Sequence, residues 1–231
     1  MAKKKVTRKE LLKGPDEFLT FSARAAIFLK AHSTQLSYAG IAVVVGILVY
    51  MGVSAYLNRI NTKGLEAYNV AYSAFLDNMD KKADQKSLEK TEKLFEKVVQ
   101  QYGRSKVSRL VAPQVAYIKY REKKYDEAIT LYEKFLKEGP RDYPYPSLSR
   151  LAIAECYEQK GDLQKAVEIL NIVVSDEDGF FKEQAMLALA RIYPLLNQKE
   201  KAVKVLKEFV SKYKASPFLP LAKAHLAEYG S

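Results

Sequence analysis

The chain has 231 residues, a formal net charge of +11 and a single cysteine, Cys156. One cysteine excludes an intramolecular disulfide framework, a Cys-x-x-Cys redox pair and a thiolate cage for zinc. The charge divides into eight basic against three acidic residues before an apolar stretch at 36–57, and 30 against 24 after it. The basic residues after that stretch are spread along helix faces, so the composition predicts no nucleic-acid partner.

Residues 1–35 begin with a lysine-rich segment and continue as a predicted amphipathic helix. Aromatic and apolar residues recur there at helical spacings of three and four: Phe18, Phe21, Ala25, Phe28 and Leu29. Such a stripe either lies among lipid headgroups or docks on a partner helix. Because an apolar stretch follows directly, the sequence favours the membrane surface and predicts lipid contact through residues 18–57.

The stretch 36–57 is long enough and apolar enough to cross a membrane. It reads LSYAGIAVVVGILVYMGVSAYL, and no charged residue occurs between Lys30 and Arg59. At about 1.5 Å of rise per residue, a helix of this length reaches roughly 33 Å, which covers the hydrocarbon core of a bilayer. A buried core helix would normally show a polar stripe. The sequence therefore predicts one transmembrane helix.

A cleavable signal peptide is the alternative to a retained anchor, because Val53-Ser54-Ala55 has the small residues of a cleavage site. However, about 35 residues precede the stretch, and it exceeds the usual apolar core of a signal peptide. The sequence favours a retained anchor over cleavage at Ala55. Small residues on one helix face would also let a second copy pack closely, which leaves a homodimer open: Ala39, Ala42 and Gly46.

The distribution of basic residues predicts the orientation of the span. Eight basic residues precede it, whereas Arg59 and Lys63 are the basic residues near its far end. Because basic residues stay on the cytoplasmic side, the N-terminus is expected in the cytoplasm. Residues 58–231 are then exported, and in a Gram-negative bacterium they lie in the periplasm on a single span of the inner membrane.

After the span the apolar periodicity stays helical, so the predicted fold class is all-α. The predicted helices form about four pairs and a final capping helix: 63–79 with 86–102, 105–122 with 125–138, 145–159 with 162–174, 179–196 with 199–213, and 217–229. Turn chemistry predicts the breaks at Gly103, Gly139-Pro140, Asp178-Gly179 and Ser216-Pro217.

The later helix pairs repeat in sequence. Ala128, Ala166 and Ala202 are spaced by 38 and 36 residues, and the same spacing separates Ala116, Ala154 and Ala190. Small residues at matched positions let the two helices of a pair cross closely. The sequence therefore predicts that these alanines pack in the core of a repeat array.

The pattern of a small residue and a tyrosine in the first helix, then an alanine and larger apolar residues in the second, resembles the tetratricopeptide repeat. Ala154-x2-Tyr157 and Ala166-Val167-x2-Leu170 show it in one pair. The first pair matches weakly, through Thr91, Phe95, Val98 and Val99. Other departures are the longer period, the absence of tryptophan and an inserted loop at 141–146. The Tyr-Pro-Tyr-Pro segment of this loop, at 143–146, is either a spacer or itself a ligand for another protein.

The order of a basic tail, one span and an exported repeat array resembles the ancillary SecYEG translocon subunit family. That resemblance implies a periplasmic interaction scaffold whose partners are translocon subunits, periplasmic chaperones or exported chains. Two alternatives share parts of the architecture. One is an envelope assembly or cell-division coordinator, and the other is an organelle import receptor, against which the charge bias counts.

No residue pattern predicts catalysis, a cofactor or a metal site, so the expected function is binding and the chain is not expected to be an enzyme. His32 and His225 are far apart in the sequence. By analogy with other repeat arrays, the first helix of each pair lines the concave binding surface. The partner-binding residues predicted on this basis are Gln114, Tyr117, Arg121, Glu155, Glu158 and Arg191.

Overall fold

The computed structural model describes residues 17–79, 84–140, 144–176 and 180–230, and these residues form ten α-helices and no strand. The all-α prediction is confirmed. The predicted break at Asp178-Gly179 lies outside the described residues. The helices are α1 Glu17–Ala31, α2 Ser33–Met79, α3 Gln85–Tyr102, a 3-10 turn Lys106–Leu110, α4 Val111–Arg121, α5 Tyr125–Glu138, α6 Tyr145–Gln159, α7 Leu163–Ser175, α8 Lys182–Leu195, α9 Lys199–Lys212 and α10 Leu219–Gly230.

The chain divides into two units, with the boundary between Tyr56 and Leu57 inside α2. In the N-terminal unit the apolar side chains of α2 are exposed in every direction; Val45, for example, is 51% exposed and Leu48 is 63% exposed. The most apolar part of α2 has a mean hydropathy of 2.1, and none of it is buried. By length and composition this helix qualifies as a membrane span or as a signal sequence.

The sequence analysis predicted two separate helices where the structure has the single helix α2. The apolar stretch 36–57 and the predicted helix 63–79 form one helix of 47 residues. The residues that join them include neither glycine nor proline, and the Thr62 hydroxyl donates to the Asn58 carbonyl at 3.0 Å within the helix. The chain therefore has no reason to break there.

The first helix of the second pair starts later than the predicted residue 105. A 3-10 turn occupies Lys106–Leu110, and α4 begins at Val111. The Ser108 hydroxyl donates to the carbonyls of Gly103 and Ser105, at 2.8 and 2.7 Å. Such local bonds compete with the helix, which explains the delayed start.

The repeated alanines lie in the core of the C-terminal unit, as predicted. Ala128, Ala166 and Ala202 of the second helices are fully buried, and their counterparts in the first helices are at most 2% exposed. From α4 onward each helix packs mainly on its two neighbours in the sequence. This is the arrangement of a helical solenoid.

The turn inside each of the last three pairs contains one residue with a left-handed backbone, a feature that the sequence analysis missed. These residues are Lys123 with φ 63°, Gly161 with φ 80° and Asn197 with φ 56°, and their spacing follows the repeat period. In each turn the next amide donates to the carbonyl five residues back, at 2.9 Å. A left-handed residue that closes a helix in this way is most often glycine.

Lys123→Gly is therefore expected to stabilise the array by about 1 kcal/mol, because a residue with a Cβ pays roughly that much in this conformation. Chemical denaturation of the full chain in detergent measures the change. The matched control is Lys124→Gly, since Lys124 has φ −85° and no left-handed strain to relieve. The control should therefore gain no stability. If Lys123→Gly also gained none, the assignment of strain to this turn would be wrong.

Candidate functional site

A groove of about 360 Å³ crosses the first helices of three successive pairs, α2, α4 and α6. We call it the first-helix groove. It is lined by Tyr68 and Tyr72 of α2, by Leu110 of the 3-10 turn, by Pro113 and Gln114 of α4, by the buried Tyr132 and Phe135 of α5, and by Tyr145, Leu148, Ser149 and Ala152 of α6. Three separate repeats therefore contribute to one surface.

Contacts between aromatic rings hold the walls of the groove in place. The rings of Tyr68 and Tyr72 stack with centroids 5.7 Å apart, and Tyr145 meets Phe135 edge-on at 6.1 Å. Tyr72 is still 37% exposed, Tyr145 39% and Leu148 43%. Apolar surface that is both exposed and fixed in position costs little to order when a ligand binds.

A hydrogen bond connects two walls of the groove. With the Gln114 amide oriented so that its nitrogen donates to the carbonyls of Leu110 and Val111, its oxygen accepts from the Tyr68 hydroxyl at 3.1 Å. Burial raises the pKa of Tyr68 to about 12. The hydroxyl therefore stays protonated at physiological pH and remains a donor.

Among the residues that the structure describes, no Asp, Glu, Lys or Arg lines the first-helix groove. Its surface is made of aromatic rings, aliphatic side chains, one amide and hydroxyl groups. A charged ligand group would lose its hydration there without gaining a counter-charge. The groove is suited to uncharged, largely apolar side chains.

The six residues predicted from the sequence do not form one pocket. Gln114 lines the first-helix groove. Tyr117 and Arg121 line a separate, smaller pocket together with Phe75 of α2. The Tyr117 ring meets Phe75 edge-on at 5.5 Å, and the Arg121 guanidinium sits 5.9 Å from the Tyr117 ring centroid.

The remaining three predicted residues are engaged in contacts between repeats. Arg191 of α8 binds both carboxylate oxygens of Glu158 of α6, with Nη2 to Oε2 at 2.9 Å. Glu155 accepts from the Tyr120 hydroxyl at 2.6 Å. These side chains join neighbouring first helices, so a ligand would have to share or replace those bonds.

The sequence analysis missed most of the groove. Tyr68 and Tyr72 belong to the pair with the weakest repeat match, and Tyr145, where the predicted helix 145–159 and α6 both begin, was not among the predicted binding residues. One signal was available: Tyr68 and Tyr72 are four residues apart and so share a helix face. Their meeting with α6 is a tertiary contact that no local pattern indicates.

A second cavity, of about 470 Å³, is lined by α3, the 3-10 turn, α4 and α5. Its lining combines apolar residues such as Val99 and Leu131 with charges of both signs, among them Glu96, Arg109, Lys134 and Glu138. It involves only two helix pairs. The first-helix groove is the stronger candidate, because it lies on the helices that repeat arrays use for binding.

Metal ligation has no visible basis in the described part of the chain, where no group of three His, Cys, Asp or Glu side chains is close enough to hold an ion. The His32 ring nitrogen Nδ1 lies 2.9 Å from the Gln35 amide oxygen, and His225 stacks on Tyr229 at 5.6 Å. Both contacts join residues that are three or four apart in the sequence.

Cys156 is fully buried, and burial raises the pKa of its thiol to about 12. Because the thiolate is the reactive form, the native protein is expected to resist iodoacetamide near neutral pH. Reaction should become rapid only when denaturant opens the array, which mass spectrometry of the labelled full chain would show. Fast labelling without denaturant would contradict the packing of α6 described here.

Residues 149–177 and 184–216 match the tetratricopeptide repeat family. These ranges contain most of α6 with α7, and most of α8 with α9, which are the third and fourth helix pairs. No curated protein matches the sequence.

Solved structures show the same fold at low sequence identity. Tetratricopeptide-like repeats of a kinesin light chain described as putative, from Podosopora anserina, align with a TM-score of 0.55 at 18% identity, over 73% of this chain and 85% of that one. A tetratricopeptide repeat protein from Parabacteroides merdae gives a TM-score of 0.55 at 16% identity, over 71% and 60%. The array is a tetratricopeptide-like solenoid. Such repeats generally bind other proteins or peptides, so they indicate an interaction scaffold.

Proposed function

From the tetratricopeptide match of the third and fourth helix pairs, we propose that this chain is a membrane-anchored scaffold whose array binds segments of other proteins. The observation that carries the proposal is the first-helix groove, which three repeats line together, with Tyr72 and Tyr145 partly exposed and no charged side chain among the described residues. Partly exposed tyrosines are typical energetic centres of protein interfaces, because they bury a large area and keep a hydrogen-bonding hydroxyl.

The ligand is a short, uncharged and apolar stretch of polypeptide. A groove of this size admits two or three side chains. Gln114 and Tyr68 are hydrogen-bonded to each other. The partly exposed hydroxyls of Tyr72 and Tyr145 serve the ligand backbone, whereas the aromatic rings and Pro113 contact ligand side chains. Gln114 belongs to this groove. The other predicted residues extend the binding surface along the first helices, where their internal contacts are exchanged for contacts with the ligand: Tyr117, Arg121, Glu155, Glu158 and Arg191.

The membrane anchor is helix α2. Its apolar part exposes large side chains on all sides, which is costly in water and favourable in lipid. The basic excess before residue 36 supports a cytoplasmic N-terminus, an inner-membrane span retained past Ala55, and a periplasmic array. Exposed Phe21, Phe28 and Leu29 of α1 support contact with the membrane surface.

The proposed partners are translocon subunits, periplasmic chaperones or newly exported chains, whose unfolded segments offer the apolar stretches that the groove suits. No catalytic step, cofactor or nucleic acid is part of the proposal. A homodimer through Ala39, Ala42 and Gly46 is compatible with it, because an added Cβ at Gly46 would meet nothing within 4 Å.

Photocrosslinking in cells tests the partner class. A photoreactive residue replaces Tyr117, which lies one helical turn after Gln114 on α4, and mass spectrometry identifies the captured species. Capture of translocon subunits, periplasmic chaperones or exported chains is the expected result. Capture of division or envelope-assembly proteins would favour the coordinator alternative, and capture of cytosolic proteins alone would contradict the proposed orientation.

A separate experiment tests the anchor. The full chain should resist carbonate extraction, its intact mass should include residues 1–55, and alkaline phosphatase fused at the C-terminus should be active. A mature protein that begins after Ala55 would show that the apolar stretch is cleaved as a signal peptide. An inactive fusion would show that the C-terminal array lies in the cytoplasm.

A further inference from the structure

The 3-10 turn Lys106–Leu110 and the residue before it pack directly on α2, close to the point where the apolar stretch ends. The Lys106 amide donates to the Asn61 side-chain oxygen at 2.9 Å. A Cβ added at Gly64 would lie 2.6 Å from the Ser105 hydroxyl oxygen. Glycine is thus what allows Ser105, which is 2% exposed, to reach the helix backbone.

The distance from this contact to the end of the apolar stretch follows from the helix. Leu57, Asn61 and Gly64 all lie on α2. At 1.5 Å per residue, Asn61 is about 6 Å and Gly64 about 10 Å beyond Leu57 along the axis. The headgroup layer extends roughly 5–8 Å beyond the hydrocarbon core. If Leu57 marks the edge of that core, this turn lies at the level of the lipid phosphates.

Basic side chains surround this level. Arg59, Arg104 and Lys106 are all exposed, and none of them makes an ion pair with a carboxylate of the described residues. Lys63, by contrast, binds Glu66 at 2.8 Å. Guanidinium groups donate two parallel hydrogen bonds to a phosphate, and a lysine adds a point charge.

We propose that Arg59, Arg104 and Lys106 bind the headgroups of anionic phospholipids and so hold the turn at the membrane surface. The inference rests on the proposed span, because it is the span that sets the height of the turn. The proximity to the end of the span selects lipid over an acidic protein segment. It adds a binding surface that is separate from the first-helix groove.

Hydrogen exchange of the full chain in nanodiscs tests the inference. One disc contains phosphatidylcholine alone, and the other contains phosphatidylcholine mixed with phosphatidylglycerol. Amides 103–110 should exchange roughly fivefold more slowly, or better, in the mixed disc, because each basic residue near an anionic surface contributes about that factor. The difference should disappear at about 1 M salt, where charges are screened within about 3 Å.

The double variant Arg104→Gln, Lys106→Gln should remove most of the lipid dependence, because Arg59 is then the only one of the three basic residues left. The matched control is Lys204→Gln, Lys207→Gln, which removes two exposed lysines of α9 and should leave it intact. Unchanged exchange of α8 amides would show that both variants are folded. Equal exchange rates of amides 103–110 in the two discs would overturn the inference. So would slower exchange of these amides when soluble glycerol phosphate is added to the phosphatidylcholine disc, because the site would then bind free phosphate and not a lipid surface. A chain that fails to enter discs would overturn the span as well.

Discussion

The Phe95→Ala variant is expected to lose about 3–5 kcal/mol of unfolding free energy, the usual cost of truncating a fully buried phenylalanine. Phe95 of α3 has no exposed surface. Its ring meets the rings of Tyr68 at 5.9 Å and Phe75 at 6.1 Å, both from α2. The first helix pair therefore depends on this side chain for its cohesion.

The loss should also reach the groove, because Tyr68 and Tyr72 are positioned by the same pair. Chemical denaturation of the full chain in detergent gives the total change, and hydrogen exchange of α3 shows where it occurs. Val99→Ala on the same helix is the control, since Val99 is 48% exposed and should cost less than about 1 kcal/mol. Equal losses in the two variants would mean that the aromatic cluster does not hold α2 to α3.

The second large effect concerns binding. Replacing Tyr72 and Tyr145 together by Ala should reduce crosslinking from position 117 about tenfold or more, because two central interface aromatics together contribute roughly 2 kcal/mol or more. Both side chains are more than one third exposed, so the folded array should survive their loss. Intensity of the captured bands in cells, normalised to protein level, measures the effect.

The control is Leu195→Ala with Leu221→Ala. These side chains are 61% and 48% exposed, they are apolar, and they lie outside the first-helix groove. Crosslinking should stay near the original level in this variant. If it fell as far as in the tyrosine variant, binding would depend on general surface apolarity and the groove would not be the site.

The repeat core could be predicted from the sequence because it obeys a local rule. A small residue recurs where two helices cross, so Ala128, Ala166 and Ala202 could be assigned to the core from their spacing alone. The same regularity located the helices of the later pairs to within a few residues. The helix bounds failed where the sequence held no breaker, after Leu57, and where Ser108 hydroxyl bonds replaced a helical turn.

The candidate site was harder to predict because it is made by tertiary contacts. Glu158 and Arg191 look like free binding groups in the sequence, but the solenoid brings them together across one repeat. Tyr72 and Tyr145 are 73 residues apart in the chain and line one groove. Lys123 gave no sign of its left-handed backbone, because lysine is not the residue that such a turn favours.

The most direct test of the central claim compares two crosslinking positions in the same cells. A photoreactive residue replaces Tyr145 in the first-helix groove or Val99 in the larger, charge-lined cavity; both side chains are exposed and apolar or aromatic. We expect protein partners to be captured from position 145, with little captured from position 99. Efficient capture from position 99 and none from position 145 would contradict the assignment of the first-helix groove as the binding site.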